Sequence, residues 1–481
     1  MAAGRSPQQL EPSRRQRRCA KLRRLPIQTL DLSLKARFYP HMDWRLRRWA
    51  LPLAVIVALP ITIAAAPLSN PADDLRQSYQ LLTTTYYSKV DAQRLLDGAR
   101  QALALELSKH GAHLAVPVLH DTGSMEGNVN EVLASINRMQ TSAHVSKTQL
   151  TYAAIDGMAN SLGDRYTAFL TPDEYREFNS ALDPEKISGI GVMVRADEAS
   201  KYIEAQYVVP GTPAEKAGLQ TGDLFTTVDG KSLKGLKADD ASALLRGKPG
   251  TVVHVQAIRD GKPLPPMDIM RSEVQPPTVI YKMLPQHVGY IYILAFGRET
   301  PDEFALALDR LQKDDVRAYV LDLRDDGGGY VNSALDISSK FISGNPLLTI
   351  LERGSHTTTV DAGADALPRK PMAILVNRYT ASASEITAGA LQDNGIGILV
   401  GEKTFGKGVM QSLTPLPDGA AIKITTAHYL TPKNHDINLK GIQPDFVVIE
   451  NKNARLGEIA RDAQLQAAVS ILTKKIADAK S

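Results

Sequence analysis

The chain has 481 residues, of which 43% are hydrophobic and 22% charged, a balance typical of a globular protein with several domains. Its 56 basic and 52 acidic residues are unevenly distributed, because residues 1–48 hold 13 basic and only 3 acidic side chains. The remaining residues, with 43 basic and 49 acidic side chains, carry a net charge of −6. This excludes a broadly basic nucleic-acid-binding surface.

The amino-terminal part predicts export. After the basic tail of residues 1–48, residues 49–66 contain no charged side chain, and acidic and polar sequence follows. This order predicts a signal peptide or membrane anchor at 49–66, with later domains in the periplasm and an optional attachment to the inner membrane. A start at Met42 would give an ordinary secretory signal, and Ala64 to Ala66 offer a cleavage site, so the start and the cleavage both stay open. The sole cysteine, Cys19, lies in the tail, so the exported part forms no disulfide.

Residues 67–182 are expected to form an α-helical region with a partial internal duplication. Residues 90–99 resemble residues 145–158, and both segments contain an Asp-Gly pair, at Gly98 and at Gly157. His110, His113 and His120, in the linker between the two segments, are candidate metal ligands. No cysteine or carboxylate completes a metal-ligand set at motif spacing, so no metal site is expected.

Residues 183–272 have the regularly spaced glycine turns of a small β-rich domain. The turns are Gly189-Ile190-Gly191-Val192, Gly211-Thr212-Pro213, Gly222-Asp223 and Asp229-Gly230. This pattern resembles a PDZ domain, which holds the carboxylate of a peptide tail in successive backbone N–H groups. The resemblance assigns that role to Gly189, Ile190, Gly191 and Val192. The alternative is a structural β-domain without a ligand.

Residues 273–450 alternate apolar strands with helical runs, which predicts a layered α/β core. The expected strands are Val288–Phe296, Tyr319–Leu323, Met372–Val376, Ile396–Val400 and Ala421–Thr426, and the expected helices are Pro301–Lys313, Val331–Ile342 and Ser382–Gln392. In the last part, residues 451–481, apolar side chains at helical spacing predict a terminal helix over Leu456–Ala479.

A glycine run follows the second of these strands. It reads Asp322-Leu323-Arg324-Asp325-Asp326-Gly327-Gly328-Gly329, and glycines allow close backbone approach to a ligand. The run lacks both the G-x-G-x-x-G and the G-K-[ST] patterns, so nucleotide binding is not expected.

A serine and a lysine lie 25 positions apart in the second half of the core. Ser382 stands where a strand turns into a helix, so its hydroxyl and the next N–H would lie at a helix amino terminus, a suitable place for a nucleophile beside an oxyanion site. Lys407 lies in Phe405-Gly406-Lys407-Gly408, where apolar neighbours would remove water and favour a neutral, basic amine. Ser382-x-x-Glu385 is also a helix-capping box, which by itself carries no chemistry.

Other serine chemistries find little support. The chain has neither an S-x-x-K nor a G-x-S-x-G arrangement. A triad would have to use His428 or His435, both in a strand-and-turn region where packed or solvated histidines are ordinary.

Together these segments resemble the carboxyl-terminal (tail-specific) processing proteases over most of the chain. The resemblance implies Ser382 as nucleophile, Lys407 as its base, Gln411 as the residue that orients the lysine, and the N–H groups of Gly328 and Ala383 as the oxyanion hole. It also implies a crotonase-like (ClpP-like) spiral protease core with an inserted PDZ domain. In an extended strand, the even offset from Lys407 would place Gln411 on the same face.

Three features depart from the family or compete with this interpretation. Asp325-Asp326-Gly327 replaces the family's Asn-Asn-Pro, and the added negative charge is expected to alter the pKa of the lysine or the substrate preference. Ser384 is a competing nucleophile but lies 23 positions before Lys407, so we interpret it as packing or capping. The family normally has one such helix where this chain has two. The extra copy favours an adaptor site or homo-oligomerisation in the helical region.

The sequence thus predicts an exported serine endopeptidase without cofactor or metal that recognises and cleaves protein or peptide substrates with apolar C-termini. Tail binding would place the PDZ domain so that the site is completed, with Arg246 as a relay to Gln411. Arg246 has the alternative interpretation of an exposed loop charge. A catalytically silent PDZ scaffold of the cell envelope and a crotonase-type acyl-CoA enzyme are the alternative functions.

Overall fold

The computed structural model describes residues 70–451 and 457–478. The basic tail, the segment 49–66, Met42 and Cys19 lie outside these ranges, and so does the predicted helix start at Leu456. Within the described ranges, none of the helices combines the length and the apolar character needed to cross a membrane.

Four helices form a bundle at the amino-terminal side. They are α1 (Pro71–Thr85), α2 (Ala92–Lys109), α3 (Met125–Ala143) and α4 (Lys147–Ser161). The two duplicated segments pack against each other: a Cβ on Gly98 of α2 would lie 2.3 Å from the carbonyl oxygen of Gly157 on α4, and a Cβ on Gly157 would lie 2.4 Å from that of Gly98. The glycines therefore permit the close crossing of the two helices.

The bundle shares its apolar core with a β-hairpin of the protease core. Leu416, Ile422 and Ile424 of the hairpin are buried in the same cluster as the helix residues. The backbone N–H of Tyr87 donates to the carbonyl of Thr425 at 2.9 Å. The short strand β1 (Ala168–Leu170) pairs with the hairpin, and α5 (Pro172–Leu182) then leads to the β-rich domain.

The β-rich domain is inserted at a two-stranded ribbon. Entry strand β2 (Ile187–Gly189) pairs with exit strand β10 (Ser272–Val274), so the chain leaves the domain where it enters. The domain holds a seven-stranded sheet in the order β3-β4-β5-β7-β8, with β6 on β5 and β9 on β7. Its elements are β3 (Val192–Ala196), β4 (Ile203–Val208), α6 (Pro213–Lys216), β5 (Leu224–Val228), β6 (Lys231–Ser232), α7 (Ala238–Leu245), β7 (Val252–Arg259), β8 (Lys262–Pro263) and β9 (Met267–Met270).

The centre of the core is a six-stranded sheet in the order β11-β12-β13-β16-β17-β20, parallel except for β11. Its strands are β11 (Val279–Leu284), β12 (Val288–Ile293), β13 (Ala318–Asp322), β16 (Met372–Val376), β17 (Ile398–Gly401) and β20 (Phe446–Val447). Every residue of β13 and β16 is buried, because helices cover both faces, as parallel sheets require. The covering helices are α8 (Thr300–Lys313), α9 (Val331–Ser338) and α10 (Ala383–Asp393) on one side and α11 (Ala463–Asp478) on the other.

A second, antiparallel sheet has the order β1-β19-β14-β15, with β18 on β19. Its remaining strands are β14 (Pro346–Glu352), β15 (His356–Asp361), β18 (Val409–Pro415) and β19 (Ala421–Leu430). The mixed α/β fold class is therefore confirmed. The hairpin of β14 and β15 was not predicted, and the terminal helix spans Ala463–Asp478.

Candidate active site

Ser382 occupies the turn between β16 and α10 in a strained conformation. Its backbone has φ 59° and ψ −116°, a region that non-glycine residues adopt at a cost of about 1–3 kcal/mol. The side chain is fully buried, and its Oγ has no hydrogen-bond partner. The turn is held in place because Thr380 donates its hydroxyl to the carbonyl of Leu323, at the end of β13, at 2.8 Å. The strain therefore coincides with an unpartnered hydroxyl at a helix start.

The glycine run lies directly against this turn. A Cβ on Gly328 would lie 2.7 Å from the amide nitrogen of Ala383 and 2.9 Å from the Cβ of Ser382, and Gly328 has a φ of +99°. Both observations require glycine. The structure thus brings together the two residues predicted to form an oxyanion hole. The Ala383 N–H belongs to the first turn of α10 and has no intrahelical acceptor.

Lys407 is buried, with 5% of its surface exposed, in the loop before β18. Its ammonium nitrogen lies 4.8 Å from the centre of the Tyr166 ring, within the range of a cation–π contact. A Cβ on the neighbouring Gly406 would lie 2.7 Å from the amide nitrogen of Gly441, so the loop is tightly packed. Since the Oγ of Ser382 has no hydrogen-bond partner, serine and lysine are not hydrogen-bonded to each other in this conformation.

Glu385 connects the serine turn to the lysine loop. Its buried carboxylate accepts the N–H groups of Ser382 at 2.9 Å, Lys407 at 2.8 Å and Gly406 at 2.8 Å, and the hydroxyl of Thr404 at 2.5 Å. Burial raises the pKa of Glu385, and these four bonds oppose the shift. Sequence reasoning identified the capping bond to Ser382 but missed the bonds to the lysine loop.

Tyr429, on β19, makes a second connection that the sequence did not indicate. Its buried hydroxyl lies 2.6 Å from the carbonyl oxygen of Lys407 and 3.2 Å from that of Ser382. Two side chains, Glu385 and Tyr429, thus fix the backbones of the predicted nucleophile and base relative to each other.

Gln411 lies on β18, but the argument from its even offset was wrong. Lys407 precedes β18, which begins at Val409, and the pairing with β19 shifts register between Met410 and Gln411. Gln411 is fully buried and donates to Thr425 at 3.4 Å, while its Oε1 has no partner. Its orienting role stays a prediction.

The two aspartates of the glycine run have different surroundings. Asp325 is hydrogen-bonded to Asn377, with its backbone N–H donating at 3.1 Å and its carboxylate accepting at 3.2 Å. Asp326 is fully buried, its Oδ1 accepts the N–H of Gly328 at 2.8 Å, and its Oδ2 has no partner. Burial raises the pKa of Asp326 well above its ordinary value. The raised pKa favours the neutral acid and so opposes the added negative charge expected from the sequence.

The alternative catalytic residues, one serine and two histidines, interact with groups outside the proposed dyad. Ser384 donates its hydroxyl to the carbonyl of Asp326 at 3.1 Å. His428 packs edge-on against Tyr87, and burial lowers its pKa. His435 is largely exposed, 3.9 Å from the carboxylate of Asp393. Within residues 70–451 and 457–478, no group of histidines, cysteines and carboxylates is arranged to hold a metal ion.

The loop from Gly189 to Val192 lies at the edge of the β-rich domain. Gly191 has a φ of +84° and packs on Thr212, while the carbonyl of Ile190 accepts the N–H of Ala214 at 2.8 Å. The stem of the exposed Arg246 runs beside this loop, since a Cβ on Gly189 would lie 3.8 Å from its Cγ. The Oε1 of Gln411 has no partner, so it receives no bond from Arg246 here.

The sequence matches two family models. Residues 287–448 match peptidase family S41, and residues 205–259 match a PDZ domain. The second match lies within the β-rich domain inserted at the ribbon of β2 and β10.

Several proteins described as carboxyl-terminal-processing proteases are similar to this chain in sequence. A carboxyl-terminal-processing protease of Synechocystis sp. is 36% identical over 334 residues, which cover 68% of this chain and 78% of the relative. One from Picosynechococcus sp. is 37% identical over 334 residues, covering 67% and 79%. The carboxy-terminal processing protease CtpA of Bacillus subtilis is 35% identical over 297 residues, covering 62% and 63%. Among solved structures, a photosystem II D1 C-terminal processing protease aligns with 26% identity and a TM-score of 0.42, covering 79% of this chain and 94% of the other.

Proposed function

This chain belongs to peptidase family S41, and on that premise we propose that it is an exported endopeptidase that binds protein C-terminal tails through its PDZ domain and cleaves them with Ser382 and Lys407. The family membership makes it a serine-type peptidase with protein or peptide substrates. The observation that supports the assignment most directly is the strained Ser382, placed against Gly328 and Ala383 and joined through Glu385 to the backbone of Lys407.

In the proposed reaction, the Oγ of Ser382 attacks the scissile carbonyl while the amine of Lys407 takes its proton. The tetrahedral oxyanion is stabilised by the N–H groups of Ala383 and Gly328. The lysine then gives the proton to the leaving amine, and water hydrolyses the acyl-enzyme. The burial of Lys407 supports its role, because removal from water disfavours the charged form of an amine and favours the basic one.

The site requires a rearrangement before it can react. Ser382 and Lys407 are not hydrogen-bonded, and Gln411 bonds Thr425 instead of the lysine. Catalytic hydrogen bonds commonly tighten only when substrate is bound. We assign this rearrangement to tail binding at Gly189 to Val192, with Arg246 carrying the signal towards Gln411. A tail stabilises the rearranged state only if it binds that state more tightly than the resting one.

Export to the periplasm through residues 49–66 completes the proposal. It rests on the charge-free segment, its basic flank and the acidic balance of the remaining chain. An adaptor or a second copy of the chain would bind at the helical region.

The test is the cleavage of an unfolded polypeptide with an apolar C-terminal tail. We expect Ser382→Ala and Lys407→Ala each to lower kcat/KM by at least about 10³-fold while tail binding persists, because nucleophile and base act as a unit. Ser384→Ala is the matched control and should keep activity within about tenfold, because its hydroxyl donates to the backbone carbonyl of Asp326. Substantial turnover by Ser382→Ala would overturn the assignment, and loss of activity in Ser384→Ala alone would transfer the nucleophile to that residue.

Tail recognition is tested with substrates that have free and amidated C-termini. A free carboxylate should raise kcat/KM on the order of tenfold, because bonds from N–H groups to a charged acceptor are strong. Arg246→Ala and Gln411→Ala should reduce this difference. Equal cleavage of both substrates would leave the PDZ domain as a passive tether.

A further inference from the structure

The N–H group assigned to the oxyanion hole is already occupied. The Gly328 N–H donates to Oδ1 of Asp326 at 2.8 Å. A single N–H cannot form a strong hydrogen bond to this carboxyl and to a substrate oxyanion at the same time, because hydrogen bonds weaken steeply away from linear geometry. The oxyanion site is therefore complete only after Gly328 exchanges Asp326 for the substrate.

Asp326 is fixed where this exchange has to happen. Its carbonyl oxygen accepts the N–H of Ala381 at 3.0 Å and the hydroxyl of Ser384 at 3.1 Å, which ties it to both sides of Ser382. Its side chain is fully buried, and its Oδ2 has no hydrogen-bond partner. A buried carboxylate without a cation is unfavourable, so burial favours the neutral acid and raises the pKa of Asp326, while the bond from the Gly328 N–H opposes that shift.

The surrounding charges leave Asp326 without a counterion. The titratable and charged groups on its own segment are Asp322, Arg324, Asp325 and Tyr330, those on α10 are Glu385 and Asp393, and the neighbouring β12 contributes Tyr292. The guanidinium of Arg324 is bound to Asp322 and Asp462, and the carboxylate of Glu385 is bound to the serine turn and the lysine loop. The pKa of Tyr292 is raised by burial and further by the neighbouring aspartates, Asp326 among them.

We propose that Asp326 is a positioning residue that controls the oxyanion site through its proton. As a neutral acid it holds the Gly328 N–H by an ordinary hydrogen bond, which a substrate carbonyl can replace. As a carboxylate it holds that N–H by a charge-assisted bond, roughly twice as strong, and places a negative charge beside the developing oxyanion. On ionisation the proton on the Asp326 carboxyl passes to bulk water, and no covalent bond between heavy atoms changes. The inference rests on the proposed function of Gly328.

The pH profile of kcat/KM tests this proposal, because Asp326→Asn keeps the acceptor oxygen but has no proton to lose. Each enzyme is measured from about pH 6 to 10, relative to its own value at about pH 7. The native chain should lose activity at alkaline pH, approaching tenfold per pH unit once Asp326 ionises, and Asp326→Asn should lack this decline. Asp325→Asn, which removes the adjacent charge, is the matched control and should decline like the native chain.

An alkaline decline in Asp326→Asn equal to that of the native chain, or no decline in the native chain, would overturn the proposal.

Thermal unfolding provides a readout that does not depend on peptidase activity. Above about pH 4 the unfolded chain loses the Asp326 proton while the native chain keeps it, so Asp326→Asn should gain in Tm over the native chain as pH rises. If no variant cleaves but this gain appears, the proposed function fails while the neutral acid stands. Parallel Tm curves would refute the neutral acid itself.

Discussion

At the scale of single residues, the site divides into groups that act through side chains and groups that act through the backbone. Ser382 and Lys407 are buried side chains with proposed chemical roles, whereas Gly328 and Ala383 supply only N–H groups. At Gly328 and Ala383, the size of the side chain affects the site only by the space that it leaves around the N–H group. The replacement of the family's Asn-Asn-Pro by Asp325-Asp326-Gly327 is therefore compatible with an oxyanion role for Gly328, although Asp326 changes how that N–H is used.

Gly328→Ala should strongly lower both activity and stability. The new Cβ would lie 2.7 Å from the amide nitrogen of Ala383, and alanine is strained at a φ of +99°. We expect a loss of about 2–4 kcal/mol in the free energy of unfolding and at least about 100-fold in kcat/KM, measured by denaturant titration and peptide cleavage.

Gly344→Ala is the matched control. Gly344 also has a positive φ, of +65°, but nothing lies within 4 Å of its added Cβ, so only the conformational cost of about 1–2 kcal/mol should appear. Native kcat/KM in Gly328→Ala would contradict the close approach of the glycine run to Ser382.

At the scale of elements, the helical bundle is attached to the strands that carry Gln411. Helix α1 meets the turn between β18 and β19, where Asp74 approaches the N–H of Asp418 at 3.4 Å and Tyr152 donates to the Asp418 carboxylate. Burial and the charge of Asp418 raise the pKa of Asp74 to about 6. Two carboxyl groups at this contact make the attachment of the bundle sensitive to pH.

Asp74→Asn should stabilise the protein at neutral pH and not at acidic pH. Below about pH 4 both native and unfolded chains bind the Asp74 proton, so the carboxyl group costs nothing there. As pH rises through 4 towards about 6, the native chain keeps a proton that the unfolded chain has lost, and stability falls. Asp74→Asn should therefore gain on the order of 1–3 kcal/mol at pH 7. Unfolding titrations at about pH 4 and pH 7 measure the difference.

The adjacent Asp73→Asn is the control for this prediction. Asp73 is exposed and forms an ion pair with Arg76 at 3.1 Å, so its removal should change stability by less than about 1 kcal/mol, without a gain at pH 7. A gain for Asp74→Asn that is equal at both pH values would exclude the raised pKa as its cause.

At the scale of the whole molecule, a buried ion network ties the terminal helix to the central sheet. The guanidinium of Arg324, directly before the aspartates of the glycine run, binds both carboxylate oxygens of Asp322 and of Asp462, and also Gln464. Asp462 and Gln464 lie at the start of α11, 138 and 140 positions further along the chain. The segment that holds the oxyanion donor is therefore held in place partly by contacts with the start of α11.

Arg324→Gln should destabilise the protein by about 3–5 kcal/mol, because it leaves two buried carboxylates without their cation. Arg378→Gln is the control, since that exposed arginine pairs with Glu402 only at 4.0 Å and should contribute less than about 1 kcal/mol. Denaturant midpoints measure both variants. A change below about 1 kcal/mol for Arg324→Gln would show that α11 is held by its apolar face alone.

The sequence by itself determined the elements and the positions of the candidate site. Met372–Val376 forms a strand with the predicted bounds, and Ser382 begins a helix, because apolar runs and capping residues act on their immediate neighbours. It also indicated that Gly98 and Gly157 belong to repeated segments. Strand β15 escaped prediction because its polar, largely exposed side chains give no clear apolar pattern.

The tertiary structure alone decided how the site is connected. The register shift before Gln411, the bonds from Glu385 to the lysine loop, and the bond of Tyr429 to both backbones join residues that are brought together by strand order. The bond between Asp326 and Gly328 is local, yet it matters only because folding buries Asp326 without a cation against Ser382. Local patterns fix which residues form helices and strands, while burial and contacts between distant segments fix protonation and hydrogen-bond partners, and these are properties of the folded chain.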